Sequence, residues 1–231
     1  MKIEMDKDFR GNAYIIQNED VLLKFSGGFA DLANEIPNTL NTRFATASMG
    51  KTFVAVGILQ LIEAGKLKFE DTLGDILDIN LKSIDPGVTV KQLLNHTSGV
   101  PDYFDESVMD DYEALWTDYP NYRIRHNKDM LPLFIDEPMM YPKGERFQYN
   151  NSGYVLLALI MEKITGVDFD IYLKEMFSIR VVWILPDTSN LISCRQNVQT
   201  AISIVLIQKI IAQIFIPLVP KVPVTEEHLL R

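Results

Sequence analysis

The sequence of 231 residues predicts an α+β fold, in which a β-hairpin is followed by helices that are buried over most of their surface. Two β-prone runs, residues 13–17 and 21–25, flank the turn signal Asn18-Glu19-Asp20, a pattern typical of a hairpin. Apolar residues then cover most of the circumference of a proline-free helix over 48–64, and a second apolar helix follows residue 154. Helices that are apolar nearly all round pack inside a fold rather than on its surface.

Composition excludes several classes of protein and of site. Hydrophobic residues make up 47% of the chain and charged residues 23%, which excludes disorder and collagen-like repeats. A net charge of −9 argues against a nucleic-acid partner, because phosphates attract basic surfaces. The single cysteine, Cys194, excludes an intramolecular disulfide, and three scattered histidines give no pattern of metal ligands. We therefore expect no metal site.

The chain changes character near residue 177. All 12 glycines lie at or before Gly166, whereas ten isoleucines fall within residues 178–231. We therefore expect a globular first part, residues 1–177, and a divergent tail, residues 178–231. The first ten residues alternate charged with apolar side chains and do not resemble a secretion signal, so the sequence predicts a cytoplasmic protein, or an extracytoplasmic one if a leader was removed.

Ser48 and Lys51 stand three residues apart at the start of the first predicted helix, on one face of its first turn. A serine hydroxyl becomes a strong nucleophile when a neighbouring base takes its proton, and a lysine at this spacing reaches it. The amino end of a helix also favours developing negative charge. The spacing alone is common by chance, and the alternative is an ordinary helix start with a surface lysine.

A second interpretation overlaps this pair. Residues 45–52 differ by one position from the phosphate-binding loop G-x-x-x-x-G-K-[ST], with alanine in place of the first glycine. That loop follows a buried strand, and residues 38–44 form a poor one. A nucleotide-binding protein is therefore kept as an alternative.

Two later turns carry polar and aromatic side chains. The turn at 95–101 contains His96, for which we expect a structural role. The turn before the second helix contains Tyr149, whose phenol can act as a base or whose ring can simply pack as an aromatic, and Asn151, whose simplest role is to cap that helix. Aromatic residues between 102 and 140 are expected to serve packing for the most part.

Three ordered motifs give the chain a family resemblance over about residues 1–177. Ser48-Met49-Gly50-Lys51 matches S-x-x-K, Tyr149-Asn150-Asn151 matches Y-x-N, and residues 93–101, LLNHTSGVP, resemble the signature turn between them. Together they resemble the serine β-lactamase and penicillin-binding-protein family. Within this family, the chain most resembles the branch that contains class C β-lactamases, D-alanyl-D-alanine carboxypeptidases and related esterases.

The resemblance implies an antiparallel sheet flanked by helices, with a mostly helical subdomain inserted before Y-x-N. It also implies that Ser48 is the nucleophile, that Lys51 activates it, and that Tyr149 acts as base and then as proton donor to the leaving group. Asn151 is expected to bind substrate and Lys51, and the Ser48 N–H to stabilise an oxyanion. The implied partner is a β-lactam, a D-alanyl peptide or a small ester or amide, with no metal or organic cofactor.

The third motif of the family, [KH]-x-G, is absent because no glycine follows Gly166. In the family that the chain resembles, the strand that carries this motif also supplies the second oxyanion donor. We therefore expect the C-terminal sheet strands to be missing or replaced in this sequence. The alternative to a hydrolase is therefore an inactive or truncated family member with a binding or membrane-associated role.

The tail itself allows three interpretations. Residues 200–219 are apolar enough for a membrane anchor, but Gln208, Lys209 and Gln213 lie in mid-span, where a charge is costly. A replacement segment packed on the core is the second interpretation. The third interpretation, which we prefer, is a frameshift in the gene or its record. Glycine and the third motif are both missing from the part of the chain in which isoleucine becomes frequent.

Overall fold

A computed structural model describes residues 8–18 and 20–180, with side chains as far as residue 175. The described chain falls into two compact units, residues 8–46 and residues 47–180. The composition change at residue 177 falls within the last described helix, and the tail from residue 181 onward lies outside the described residues. The division of the chain at that point stays a prediction.

The first unit contains the predicted hairpin. Strand β1 (Gly11–Gln17) pairs antiparallel with β2 (Asp20–Gly27), with a bulge between Ile15 and Ile16. Asn18 in the turn has a φ of 49°, a left-handed conformation that asparagine tolerates better than most residues. The hairpin prediction is confirmed.

A second, smaller hairpin follows β2 and was not predicted from the sequence. Strand β3 (Phe29–Asp31) pairs antiparallel with β4 (Ile36–Pro37). The carboxylate of Asp31 closes the loop between them, because it accepts hydrogen bonds from both the backbone N–H and the side-chain amide of Asn34. Strands of two and three residues are too short to show an alternating pattern, which is why the sequence did not reveal them.

The second unit is helical in its described residues, apart from one isolated β-bridge between Thr72 and Thr89. A 3₁₀ turn (Ala47–Met49) leads into the first helix, and two further 3₁₀ turns (Asn121–Arg123 and Asn127–Leu133) lie in the long connection before α5. The helices are α1 (Gly50–Glu63), α2 (Leu73–Ile76), α3 (Val90–Leu94), α4 (Leu115–Asp118), α5 (Ser152–Thr165) and α6 (Phe169–Arg180). Short helices and turns therefore fill the chain between α1 and α5, as expected.

The core of this unit lies between α1 and α5, the two helices that the sequence predicted to be buried. Ile58 on α1 and Leu156 and Ile160 on α5 are fully buried. The helices approach closely at Gly57, because a Cβ atom there would lie only 2.7 Å from Cε of Met161. This packing holds the amino ends of α1 and α5 in fixed positions within one unit.

Residues 200–219, for which a membrane anchor was one interpretation, lie outside the described residues. Within residues 8–18 and 20–180, no helix is both long enough and apolar enough to cross a bilayer.

Candidate active site

The amino end of α1 presents Ser48 and Lys51 as the sequence predicted, with one difference. Ser48 lies on the 3₁₀ turn before α1, and Lys51 lies in the first turn of the helix itself. The Lys51 Nζ donates a hydrogen bond of 3.4 Å to the Ser48 Oγ. Ser48 is exposed, so its hydroxyl is open to a substrate, whereas Lys51 is half-buried.

The backbone before the serine is strained. Ala47 has a φ of 45°, in the left-handed region that residues with a Cβ seldom occupy. Such a conformation costs on the order of 1–3 kcal/mol and persists where the surrounding structure enforces it, most often at functional sites. This strained turn places Ser48 directly before α1, where its hydroxyl contacts Lys51.

Tyr149 and Asn151 reach the same place from the turn before α5. The Tyr149 hydroxyl donates a hydrogen bond of 2.8 Å to the Ser48 Oγ. The Asn151 Oδ1 accepts a hydrogen bond of 2.8 Å from the Lys51 Nζ. The structure therefore brings together all four residues that the sequence analysis proposed, although about 100 positions separate the two pairs along the chain.

Lys51 supplies the positive charge at the centre of this group. Its Nζ lies 4.6 Å from the centre of the Tyr149 ring and 5.8 Å from that of Tyr154. Aromatic faces attract cations at such distances. Lys51 is thus held by a hydroxyl, an amide oxygen and two aromatic rings. From this position its positive charge can balance a negative charge on the oxygen of Ser48 or of Tyr149.

The interpretation of Asn151 as a plain helix cap is wrong in its detail. Asn151 stands at the N-cap position of α5, but its side chain makes no capping hydrogen bond. The Asn150 Oδ1 accepts a 2.7 Å hydrogen bond from the Gly153 N–H instead, and the carboxylate of Asp102 accepts from the N–H groups of Asn151 and Ser152. The amide of Asn151 is therefore free to face Lys51.

Asp102 is the site residue that sequence reasoning missed. Burial raises the pKa of its carboxyl group, and the hydrogen bonds from the N–H groups of Asn151 and Ser152 oppose that rise by stabilising the carboxylate. The only signal in the sequence was an acidic residue directly after the turn that ends at Pro101. Nothing in that signal indicates a partner 49 positions away.

The ring of His96 packs against the ring of Tyr149, and His96 has the structural role that we expected. Its ring lies 4.7 Å from the ring of Tyr149 and 5.1 Å from that of Tyr154, centre to centre. Its Nδ1 accepts a 3.1 Å hydrogen bond from the Asn150 N–H, which requires that nitrogen to be unprotonated. Burial and the nearby charge of Lys51 hold the pKa of His96 below its ordinary value of 6.5.

The lowered pKa of His96 makes the stability of the second unit depend on pH. Between the folded pKa and 6.5, the unfolded chain binds more protons than the folded chain, so the free energy of unfolding rises with pH. The contribution is complete above 6.5 and is lost as pH falls through the folded pKa. We expect His96→Asn to remove this dependence, because asparagine keeps an acceptor and tolerates the φ of 59° at this position.

The measurement is urea unfolding between pH 4.5 and 8, with exposed His126→Asn as the matched control. The difference between wild type and His96→Asn should slope by no more than about 1.4 kcal/mol per pH unit, the limit for one proton. A difference that stays constant below pH 6.5, or that His126→Asn reproduces, would contradict the assignment.

The aromatic residues that follow Asp102 pack against one another. The rings of Phe104 and Tyr112 meet edge to face at 4.9 Å, and Tyr112 meets Trp116 at 5.6 Å. Phe104 is buried, and burial also raises the pKa of the neighbouring Tyr103. These contacts agree with the expectation that this stretch serves packing.

Other kinds of site find little support in the described residues. The nucleotide-binding alternative needs a strand before Ala45, and residues 38–46 form none. Within the described chain, no group of three or more histidine, cysteine, aspartate or glutamate side chains is placed to hold a metal ion.

Comparison with known proteins shows the family of the chain. The family model described as "Beta-lactamase" matches residues 5–177, which is most of the chain. This chain belongs to the β-lactamase family. Its relatives and structural neighbours include penicillin-binding proteins, so the resemblance inferred from the three motifs is confirmed, together with the fold class.

The similar proteins include penicillin-binding proteins and homologues from Bacillus and Pyrococcus. Penicillin-binding protein 4* of Bacillus subtilis (strain 168) is 35% identical over 169 residues, covering 72% of this chain and 35% of that protein. A penicillin-binding protein from Bacillus halodurans has a similar structure, with a TM-score of 0.71 and 44% identity over 79% of this chain and 57% of its own. An octameric penicillin-binding protein homologue from Pyrococcus abyssi gives a TM-score of 0.61 at 25% identity, over 82% of this chain and 42% of its own. The chain spans about a third of the length of the curated relatives it matches.

Proposed function

We propose that the chain acts as a serine hydrolase of this family, in which Ser48 forms an acyl-enzyme with a β-lactam, a D-alanyl peptide or a small ester or amide. The observation that carries the proposal is the hydroxyl of Ser48, which lies 2.8 Å from the Tyr149 hydroxyl and 3.4 Å from the Lys51 Nζ. A nucleophilic hydroxyl in contact with a proton acceptor, and with a cation that balances the acceptor's negative charge, is suited to acyl transfer.

In the proposed reaction, Tyr149 first gives its own proton to solvent and becomes a phenolate. The Ser48 Oγ then attacks the carbonyl carbon of the substrate, and its proton passes to the phenolate oxygen of Tyr149. Lys51 balances the negative charge of that phenolate from beside the ring. The bond from the carbonyl carbon to the leaving group then breaks, and Tyr149 gives its proton to the leaving nitrogen or oxygen. Water releases the acyl group in a second step that uses the same proton transfers in reverse order.

Asn151 has two tasks in this scheme. Its Oδ1 holds Lys51 at 2.8 Å, and the family resemblance assigns it a hydrogen bond to the substrate. The oxyanion that forms during attack needs N–H donors, of which the Ser48 N–H is one. Loss of a single donor from such a site costs about 10²–10³ in turnover. Since this sequence lacks the [KH]-x-G motif, we expect acylation to be slow compared with that of family members that carry the motif.

The test is covalent labelling of the full chain, followed by intact-mass measurement and peptide mapping. We expect a fluorescent penicillin or a fluorophosphonate to add one equivalent at Ser48 and none to Ser48→Ala. Ser107→Ala removes an exposed serine elsewhere and serves as the matched control, which should label normally.

Two outcomes would contradict the proposal. One is an absence of adduct on a chain whose α1 and α5 amides are protected from hydrogen exchange, which favours the inactive family member. The other is an adduct that persists in Ser48→Ala. Magnesium-dependent nucleotide binding by the unlabelled chain would revive the phosphate-loop alternative.

A further inference from the structure

Among the four residues of the candidate site, Asp102 forms hydrogen bonds with Asn151, which donates both its backbone N–H and its side-chain amide. The Asp102 Oδ2 accepts hydrogen bonds from the Asn151 N–H at 2.9 Å and from the Asn151 Nδ2 at 3.2 Å. Its Oδ1 accepts from the Ser152 N–H at 3.2 Å and from the Ser152 hydroxyl at 3.4 Å. One carboxylate therefore holds both the amino end of α5 and the side chain of the residue that starts it.

These contacts decide which way the Asn151 amide faces. Its Nδ2 has two acceptors, the Asp102 Oδ2 and the Phe104 carbonyl oxygen at 3.0 Å. The opposite end, Oδ1, is then left for the Lys51 Nζ. A reversed amide would direct an NH₂ group at an ammonium and an oxygen at a carboxylate, and both contacts would repel.

We propose that Asp102 is a positioning residue, whose carboxylate orients Asn151 so that this amide holds Lys51 beside Ser48. The chain of contacts runs from Asp102 to Asn151 Nδ2, from Asn151 Oδ1 to Lys51 Nζ, and from Lys51 Nζ to Ser48 Oγ. Hydrogen bonds that involve a charged group are the strong ones, so the orientation is held firmly at both ends of the amide.

Because this role rests on the proposed function of Ser48 and Lys51, one measurement should not need turnover. The reactivity of Lys51 toward trace acetic anhydride, mapped by mass spectrometry and normalised to exposed Lys66, reports directly on how the ammonium is held. We expect Asp102→Asn to raise this reactivity at least threefold. In a chain that acylates, we expect the same substitution to slow the labelling of Ser48 by up to about 10²-fold, the cost of a small misplacement of reacting groups.

A double-mutant cycle separates positioning from loss of a helix cap. If Asp102 acts through Asn151, then adding Asp102→Asn to Asn151→Ala changes the reactivity of Lys51 no further. If Asp102 only caps α5, both backgrounds respond by the same factor, and the proposal is overturned. Asp75→Asn is the matched control, because Asp75 closes a capping box on α2 without touching the site. It should leave Lys51 unchanged.

An exchanged pair keeps the test usable if Asp102→Asn alone does not fold. Asn151→Asp by itself places two carboxylates in contact and should lower the unfolding midpoint. Adding Asp102→Asn to it restores an amide–carboxylate pair, so we expect the midpoint to rise and Lys51 to regain its protection. A further fall in the midpoint would overturn the proposal, whatever the result of the acylation assay.

Discussion

Replacing Lys51 with methionine is expected to slow the covalent labelling of Ser48 by about 10²–10⁴-fold, the range that a general base contributes, because Tyr149 then loses the cation that lets it act as one. Methionine has a similar length but carries no N–H donor and no charge. The substitution removes the 3.4 Å contact with the Ser48 Oγ and the 2.8 Å contact with Asn151. It also removes the cation beside the ring of Tyr149, which would leave a phenolate there without a balancing charge.

The measurement is the second-order rate constant for labelling by a fluorescent penicillin, followed by intact mass over time. Lys66→Met is the matched control, because Lys66 is exposed just after the end of α1 and is expected to keep the wild-type rate. A wild-type rate in Lys51→Met would contradict the role of Lys51. So would an equal loss in both variants, which would indicate a general effect of lost charge.

Replacing Gly99 with alanine is expected to lower the free energy of unfolding of the second unit by about 2–5 kcal/mol. Gly99 has a φ of 71°, and a left-handed backbone costs a residue with a Cβ about 1–2 kcal/mol. The added Cβ would also lie 2.1 Å from the carbonyl oxygen of Tyr141, so the backbone must move. Shifts of that kind in a packed region cost about 1–3 kcal/mol more.

The consequence should extend to the site, because the same turn carries His96 beneath Tyr149. Gly166→Ala is the matched control: its φ is 73°, but no atom lies within 4 Å of the added Cβ. Gly166→Ala should lower the free energy of unfolding only by the cost of the left-handed backbone. Urea unfolding with hydrogen exchange at α1 and α5 measures both variants, and equal losses would show that the close approach to Tyr141 carries no weight.

The elements that the sequence predicted well are those with a strong local pattern. The hairpin of β1 and β2 follows from two β-prone runs around an asparagine turn, and α1 and α5 follow from apolar residues around a whole helix. The hairpin of β3 and β4 was missed because its strands are two and three residues long. A period of two residues cannot be recognised in so short a run.

The residues of the candidate site also fall into those that the sequence predicted and those that it did not. Ser48, Lys51, Tyr149 and Asn151 were named from their motifs and from the order of those motifs along the chain. Asp102 was missed, and Asn151 was taken for a possible helix cap. Both errors concern contacts between residues that are far apart in sequence. A carboxylate that caps a helix 49 positions away leaves no periodic trace in either segment.

The sequence by itself determined the local elements and the chemical types present at the site, because turn chemistry, apolar periodicity and motif spacing are local properties. Only the tertiary structure decided which groups touch. The packing of α1 against α5 brings Tyr149 to Ser48, and the buried carboxylate of Asp102 turns the Asn151 amide toward Lys51. The orientation of a hydrogen-bonded amide depends on every donor and acceptor around it, and those neighbours are assembled only when the chain is folded.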